Sequence, residues 1–492
     1  MKQKKVIIIG AGFSGLSAAS FLARDGFEVT VIEKNSIPGG RARKFEAEGF
    51  IFDMGPSWYW MPDVFEKFFG SFNKSPEDYY ALKRLDPSYR IVWGENDFSD
   101  LPAKFDEYCE MFENLEKGSA KRLMKFLEGA QYKYNVGINK LVYKKSASPF
   151  EFVDPGLIAG MFKLDVFKSF HDHVRKYFTH PKLIQMLEFP VLFLGGTPKS
   201  TPALYSLMNY GDIMLGTWYP DGGIYKVVVG MESLAKSLGV DFIYDAPVSA
   251  ITVSDRKTTG VIANGKAYLA DVIVGSADYN HVEQQLLPEE YRTYTTAYWG
   301  SRVMSPSSII YYLGIDKRIP NLKHHTLIFD EDFNRHADEI YKHPKWPERP
   351  SVYISSTSKS DSTVAPEGME NLMVLIPVAP GLDDTEEIRE RYYQYAMDKI
   401  EKYTGEAVRK HVVFNKCYAH KDFTNDYNAY KGNAYGLANT LMQTAFLKPK
   451  MQSKKLKNLF YAGQLTVPGP GVPPAIISGQ VVAREITQLF KN

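Results

Sequence analysis

The feature that most constrains this chain lies at its start. Val6-Ile7-Ile8-Ile9 is a short β-branched run of the kind that forms a buried parallel strand. It leads into Gly10-Ala11-Gly12-Phe13-Ser14-Gly15, then a small-residue segment read as a helix through Ala23, with Gly26 as its stop. Glu28–Glu33 reads as a second strand and closes a βαβ unit. In that setting each glycine has a reason. Gly10 permits the tight turn, Gly12 lets backbone approach a pyrophosphate, and Gly15 lets helix and strand close together. Phe13 and Ser14 open the helix, whose free N–H groups face the phosphates. Glu33 ends the second strand, where a carboxylate can accept hydrogen bonds from a ribose. A glycine-rich turn that binds nothing is the competing reading, and the flanking strands and helix disfavour it.

With roughly 150 residues per domain, 492 residues imply about three domains, or two with large insertions. The 44% hydrophobic and 24% charged residues exclude a mostly disordered chain. A formal charge of +2 is too balanced for a chain that grips nucleic acid. The only cysteines, Cys109 and Cys417, leave no disulfide framework and no cysteine metal cluster, so no metal is expected. Low cysteine use fits a reducing cytoplasm. Lys2, Lys4 and Lys5 before Val6–Ala19 imitate a signal peptide, but the three glycines interrupt the run. No stretch approaches the roughly 18 uninterrupted apolar residues of a membrane-spanning helix.

Strand character returns at Asp241–Tyr244, Val248–Val253, Val261–Asn264 and Leu269–Gly275, and again at Asn458–Gly463 before a closing helix over Pro473–Phe490. Residues 63–216 read as helical and aromatic, with no strand rhythm. The expected fold is therefore α/β. A Rossmann-like domain is built discontinuously from 1–62, 217–280 and 449–492. An inserted mixed α+β substrate domain comprises 63–216 and 281–448 and includes a helical lipid-facing region.

Further glycine loops separate FAD from NAD. Lys34 and the Pro38–Arg43 stretch, with Gly39, Gly40 and Arg41, can bring backbone and charge against the same phosphates from the other side. Gly55, Pro56 and Ser57 add a close-approach turn. Gly463 and Gln464, then Gly471, Val472 and Pro473, lead into the last helix, whose N-terminus suits negative charge at a reduced flavin's pyrimidine side. Together these loops point to FAD. No cysteine lies near the last loop, so the flavin is expected to be non-covalent.

The run Gly10–Gly15, Glu33 with Pro38–Arg43, Phe52–Pro56, Pro202–Tyr205, Trp218–Gly223, His324–Thr326, Gly432–Ala434, Leu437 and Pro468–Pro473 resembles the bacterial-type phytoene desaturases. These segments span nearly the whole chain in the family's order. Two departures stand out: Pro474, where many members have glycine, and the cluster Trp58-Tyr59-Trp60, which is expected to narrow the substrate tunnel. The resemblance implies FAD-dependent desaturation of a forty-carbon carotenoid precursor such as phytoene, with selectivity set by tunnel shape and apolar contact. It puts Val248 at the adenine. It makes Trp58, Tyr205, Trp218 and His325 candidate tunnel residues, and His324, His325 and Asp212 candidates to take the proton, with no catalytic residue assigned. A redox-neutral carotenoid isomerase and a non-covalent flavin amine oxidase share the scaffold and remain alternatives.

Apolar residues at Leu157, Met161, Leu164, Phe167, Phe170, Val174 and Tyr177 recur at helical spacing among Lys163, Lys168, Arg175 and Lys176. That face reads as core packing or as docking on a membrane surface, where such a substrate dissolves. The expected location is cytoplasmic, peripherally associated with a membrane. A single GxGxxG fingerprint, already taken by FAD, makes oxygen or a quinone the expected electron acceptor rather than a nicotinamide.

Overall fold

The computed structural model describes residues 3–148, 151 and 164–491. Five parallel strands form its central sheet, in the order Leu459–Tyr461, Val272–Gly275, Lys5–Ile9, Glu28–Ile32, Asp241–Ile243. Both faces are covered, so Val6–Ile9 and Val272–Gly275 are apolar without alternation and are buried throughout. The first helix, Phe13–Arg24, packs on this sheet with most of its residues buried. Its small side chains let the last helix, Val472–Lys491, approach closely. Ser17 Oγ donates to the Ile476 carbonyl at 2.7 Å. A Cβ on Gly479 would stand 2.2 Å from the Ser14 carbonyl oxygen.

Beside this sheet, Val248–Ser254, Lys257–Ala263 and Lys266–Leu269 form a three-stranded antiparallel sheet. The single strand expected over Leu269–Gly275 is therefore two, in different sheets. The switch falls at Asp271, which accepts from Lys5 N at 2.9 Å and so belongs to the central sheet's edge. An apolar run alone cannot reveal such a change of partner.

A mixed seven-stranded sheet makes the other half, in the order Val412–Tyr418, Ser307–Ile315, Glu370–Val378, Val352–Ser355, His325–Ile328, Tyr89–Gly94, Asp97–Leu101. Two of its strands come from 63–216, a segment expected to lack them. They are short and rich in polar residues on their outer face, which hides the alternation. A further strand there, Leu82–Arg84, pairs with Trp218–Pro220. The helix Pro62–Gly70 lies across the expected boundary at 62/63 and packs Phe68 against Phe21 of the first helix, ring centroids 5.8 Å apart.

The amphipathic stretch is corrected in part. Leu157, Met161 and Lys163 lie outside the described residues. Of the rest, only Phe170–Val174 is helical, and Leu164, Phe170 and Val174 are buried in the core rather than offered to a bilayer. Phe167 alone of this set stands out, 80% exposed. Among the described residues, no helix is long and apolar enough to cross a membrane.

Candidate functional site: a two-armed cavity

The carboxyl ends of the parallel strands open onto a cavity of about 530 Å³. One arm is glycine-rich and polar. Gly10, at φ +102°, turns the chain out of the first strand, and its N–H donates to the Ile32 carbonyl at 2.8 Å. Ser14 Oγ meets Ser276 Oγ at 2.7 Å and ties the turn to the neighbouring strand end. Gly39 N donates to the Ala11 carbonyl at 2.8 Å, which brings Gly40 and Arg41 over the same turn.

This arm fits a dinucleotide's phosphates. A Cβ on Gly12 would meet no protein atom within 4 Å, and one on Gly40 would meet only Gly12 Cα at 3.6 Å. Gly12 thus borders open space that a side chain would fill, and Gly40 packs close against the Gly12 backbone. The first helix begins there without a side-chain cap or an acidic residue in its first turn, so its N–H groups remain available to an anion. Arg41 lines the arm, and its Nε has no hydrogen-bond partner. Burial lowers the Arg41 pKa, opposed by buried Asp278, but a guanidinium remains protonated. Its Nη2 donates to the Asn433 carbonyl at 3.2 Å. With its amide oxygen turned toward Arg41, Gln464 accepts from Nη2 at 3.0 Å.

Glu33 is buried, and its carboxylate accepts from Ala11 N at 2.8 Å, Asn35 N at 2.9 Å and Asn35 Nδ2 at 2.7 Å. A carboxylate has about four acceptor sites, so one is left for a ligand hydroxyl. Ala246 N donates to the Glu33 carbonyl at 2.9 Å and sets Val248 on the cavity wall. Phe13, Ser14, Lys34, Gly55, Pro56, Ser57, Gly463, Gly471, Val472 and Pro473 line the cavity as well. Gly15 does not. A Cβ there would lie 2.1 Å from the Gly10 carbonyl oxygen, so this glycine serves the packing of helix on turn. Sequence reasoning missed Asn35, Asp278, His281, Tyr427 and Tyr435, which also line the cavity. They come from loops and short helices that only the folded chain assembles.

The second arm is largely apolar. Trp58, Trp60, Phe189, Phe329, Ile340 and Leu375 are among its walls. Ser308, Tyr341 and Ser351 also line it, with hydroxyls that have no hydrogen-bond partner, so its surface is not purely hydrocarbon. Three expected tunnel residues fall outside it. His325 is fully buried behind Trp58 and bonded to Tyr353. Trp218 pairs with Arg84 on a peripheral strand, its Nε1 donating to the Leu215 carbonyl at 2.8 Å. Tyr205 sits in the turn Ala203–Ser206 against Thr444. His324 and Asp212 do not line the cavity either. Burial takes His324 down to about 3, and it lowers His325 as well, with help from its neighbour His324. Asp212 is raised to about 7 by burial and accepts from Tyr89 Oη at 2.7 Å.

The profile of flavin-containing amine oxidoreductases matches residues 13–487. The chain belongs to this family. It is an oxidoreductase with a flavin cofactor, and its fold is that of the family's α/β flavoproteins. The chain is 42% identical to a carotenoid 3,4-desaturase of Haloarcula japonica, over 99% of each chain. It is 31% identical to a zeta-carotene-forming phytoene desaturase of Myxococcus xanthus, over 98% of this chain and 94% of that one. Among solved structures, an oxidoreductase from Methanosarcina mazei superposes with a TM-score of 0.64 at 16% identity, covering 98% of this chain and 100% of the other.

Proposed function

We propose that this protein is an FAD-dependent desaturase that introduces double bonds into a forty-carbon carotenoid precursor such as phytoene. The observation that carries the reading is the single cavity that runs from the glycine cradle into a deep, mainly apolar arm. The full-length similarity to carotenoid desaturases supports it. FAD would be held non-covalently by Gly10, Gly12, Gly39, Gly40 and Arg41 at its phosphates, Glu33 at a ribose, and Val248 at the adenine. Gly463, Gln464 and Gly471–Pro473 would lie at the flavin ring. When bound, the flavin supplies an acceptor for the hydride leaving an allylic carbon, while the neighbouring carbon loses a proton. The apolar arm binds and orients the chain and excludes water, which protects a hydrocarbon with no polar handle of its own.

In this reading residues 1–62, 217–280 and 449–492 serve the cofactor, and 63–216 with 281–448 serve the substrate. Peripheral contact with a membrane, from which so insoluble a substrate must come, is supported by exposed Phe167 beside Lys168. Oxygen or a membrane quinone would reoxidise the flavin, because one dinucleotide fingerprint serves one dinucleotide. Co-expression with a phytoene-producing pathway tests the activity. New, more conjugated pigments are expected, and unchanged phytoene in the presence of flavin-loaded protein would refute it. With purified protein and phytoene in liposomes, product should form under air without added NAD or NADP.

A further inference from the structure

Residues 420–432 leave the half of the molecule built on the seven-stranded sheet and return to it at the same place. The short helix His420–Tyr427 opens this excursion, and left-handed Asn428 turns the chain back. The two ends touch, since a Cβ on Gly432 would stand 2.9 Å from His420 Cα. Both ends are rooted. His420 Nε2 donates to the Ala379 carbonyl at 2.8 Å, and Asp422 accepts from Arg389 Nη2 at 2.7 Å. On the return, the Lys431 carbonyl accepts from Gly381 N at 2.8 Å and the Gly432 carbonyl from Ser307 Oγ at 2.5 Å.

The tip between these roots reaches the other half of the molecule. Lys34 Nζ donates to the Asn425 carbonyl at 2.6 Å. Arg43 Nη2 donates to Asp426 Oδ2 at 2.6 Å, in an ion pair whose arginine is largely shielded from water. The guanidinium groups of Arg41 and Arg43 lie 5.3 and 5.2 Å from the centre of the Tyr427 ring. Lys34 and Arg41 line the cavity beside the glycine cradle, and Asp426, Tyr427 and Asn428 line it from the tip. The tip is thus tied to the loop that carries Gly39 and Gly40, and the ties draw a strap across the glycine-rich arm. A strap fixed at both ends can move only at its tip. Of the contacts that hold the tip, the Arg43–Asp426 pair joins two full charges, and charge-assisted hydrogen bonds are the strong ones.

We propose that residues 425–428 form a latched strap that must part from Lys34 and Arg43 before FAD enters or leaves the arm. The Arg43–Asp426 pair then sets the rate of cofactor exchange rather than the affinity. The inference rests on the assignment of FAD to the glycine-rich arm. A gate that is closed in both the empty and the loaded protein slows association and dissociation by the same factor, the fraction of time it stands open. A group that grips the cofactor acts differently, because its loss speeds dissociation alone and weakens binding in proportion.

The test follows FAD fluorescence in stopped flow. Mixing FAD with apoprotein gives the association rate, and mixing holoprotein with an excess of a second apoflavoprotein as a trap gives the dissociation rate. Arg43→Met and Asp426→Asn should each raise both rates about tenfold and leave their ratio within about twofold of wild type. Arg43 does not line the cavity, so its removal takes nothing from the cofactor's own contacts. Asp426 keeps the Tyr418 hydroxyl, 2.9 Å away, when Arg43 is gone. The double variant should be no faster than either single one, because both break the same pair. If one variant loses its cooperative melt, the other carries the test. Unchanged rates, or faster dissociation with unchanged association, overturn this inference alone. Failure of the cofactor assignment shows separately, as FAD binding that Gly12→Ala leaves untouched.

Discussion

Replacing Gly12 with alanine should separate cofactor binding from folding. A Cβ at Gly12 meets no protein atom within 4 Å. Its φ of −76° and ψ of 177° are open to any L-residue. Loss of glycine's unfolded-state freedom favours the variant by about 0.4–1 kcal/mol. Alanine is the poorer helix N-cap, which costs up to about 1 kcal/mol. These terms nearly cancel, so the apoprotein should melt within about 4 °C of wild type. The added methyl nonetheless enters the open space beside Gly12, where the diphosphate is proposed to lie. Neither the turn nor the helix behind it can retreat, because Gly15 is already in contact with the Gly10 carbonyl. A rigid overpacked contact costs about 1–3 kcal/mol, so FAD affinity should drop about tenfold to hundredfold, and further in Gly12→Val. Calorimetric titration of FAD into apoprotein gives the affinity, and scanning fluorimetry of the same sample gives the stability. Gly15→Ala is the contrast: its Cβ would sit 2.1 Å from a backbone oxygen, so it should destabilise the apoprotein itself. If Gly12→Ala binds FAD as wild type does, the diphosphate does not cross Gly12 and the assignment of this arm is wrong.

Gly479→Ala should lower stability by about 1–3 kcal/mol, read from denaturant midpoints, because its Cβ would meet the Ser14 carbonyl oxygen at 2.2 Å and backbone cannot yield as a side chain can. An unchanged midpoint would mean that the two helices are not locked together there. Asp212 has its pKa raised to about 7 by burial, so the native state holds a proton that the unfolded chain releases near pH 4. Its contribution is therefore full below about pH 4 and is lost as pH rises through 7, by about 4 kcal/mol at most. Asp212→Asn should flatten the slope of stability against pH between 4 and 7, and an unaltered slope would remove burial as the cause. Acid precipitation should leave all flavin in the supernatant, since neither Cys109 nor Cys417 lines the cavity. Flavin retained in the pellet would contradict a non-covalent cofactor.

The local sequence determined what can be encoded within a few residues. Val6–Ile9 could only be a buried strand, the glycines at 10, 12 and 15 set a turn against a helix, and Glu33 ends the next strand. Each depends on backbone sterics and spacing that hold wherever the segment lies. Distant Gly463 and Gly471–Pro473 were legible for the same reason, as glycines and prolines mark loop geometry directly. Tertiary structure decided everything that depends on which segments meet. Asp271 ends one sheet and begins another only because Lys5 lies beside it. Leu164, Phe170 and Val174 have the periodicity of a surface helix, and they face inward because the core is there to receive them. Trp58 and His325 are far apart in sequence, and neither signals the other. One ends a glycine loop and the other sits on a strand of the seven-stranded sheet, and their stack exists because the folded chain packs that loop against that strand. The cofactor's cradle is thus a local property of the chain, whereas the arm that would choose the substrate is assembled by long-range packing, for which no short pattern exists.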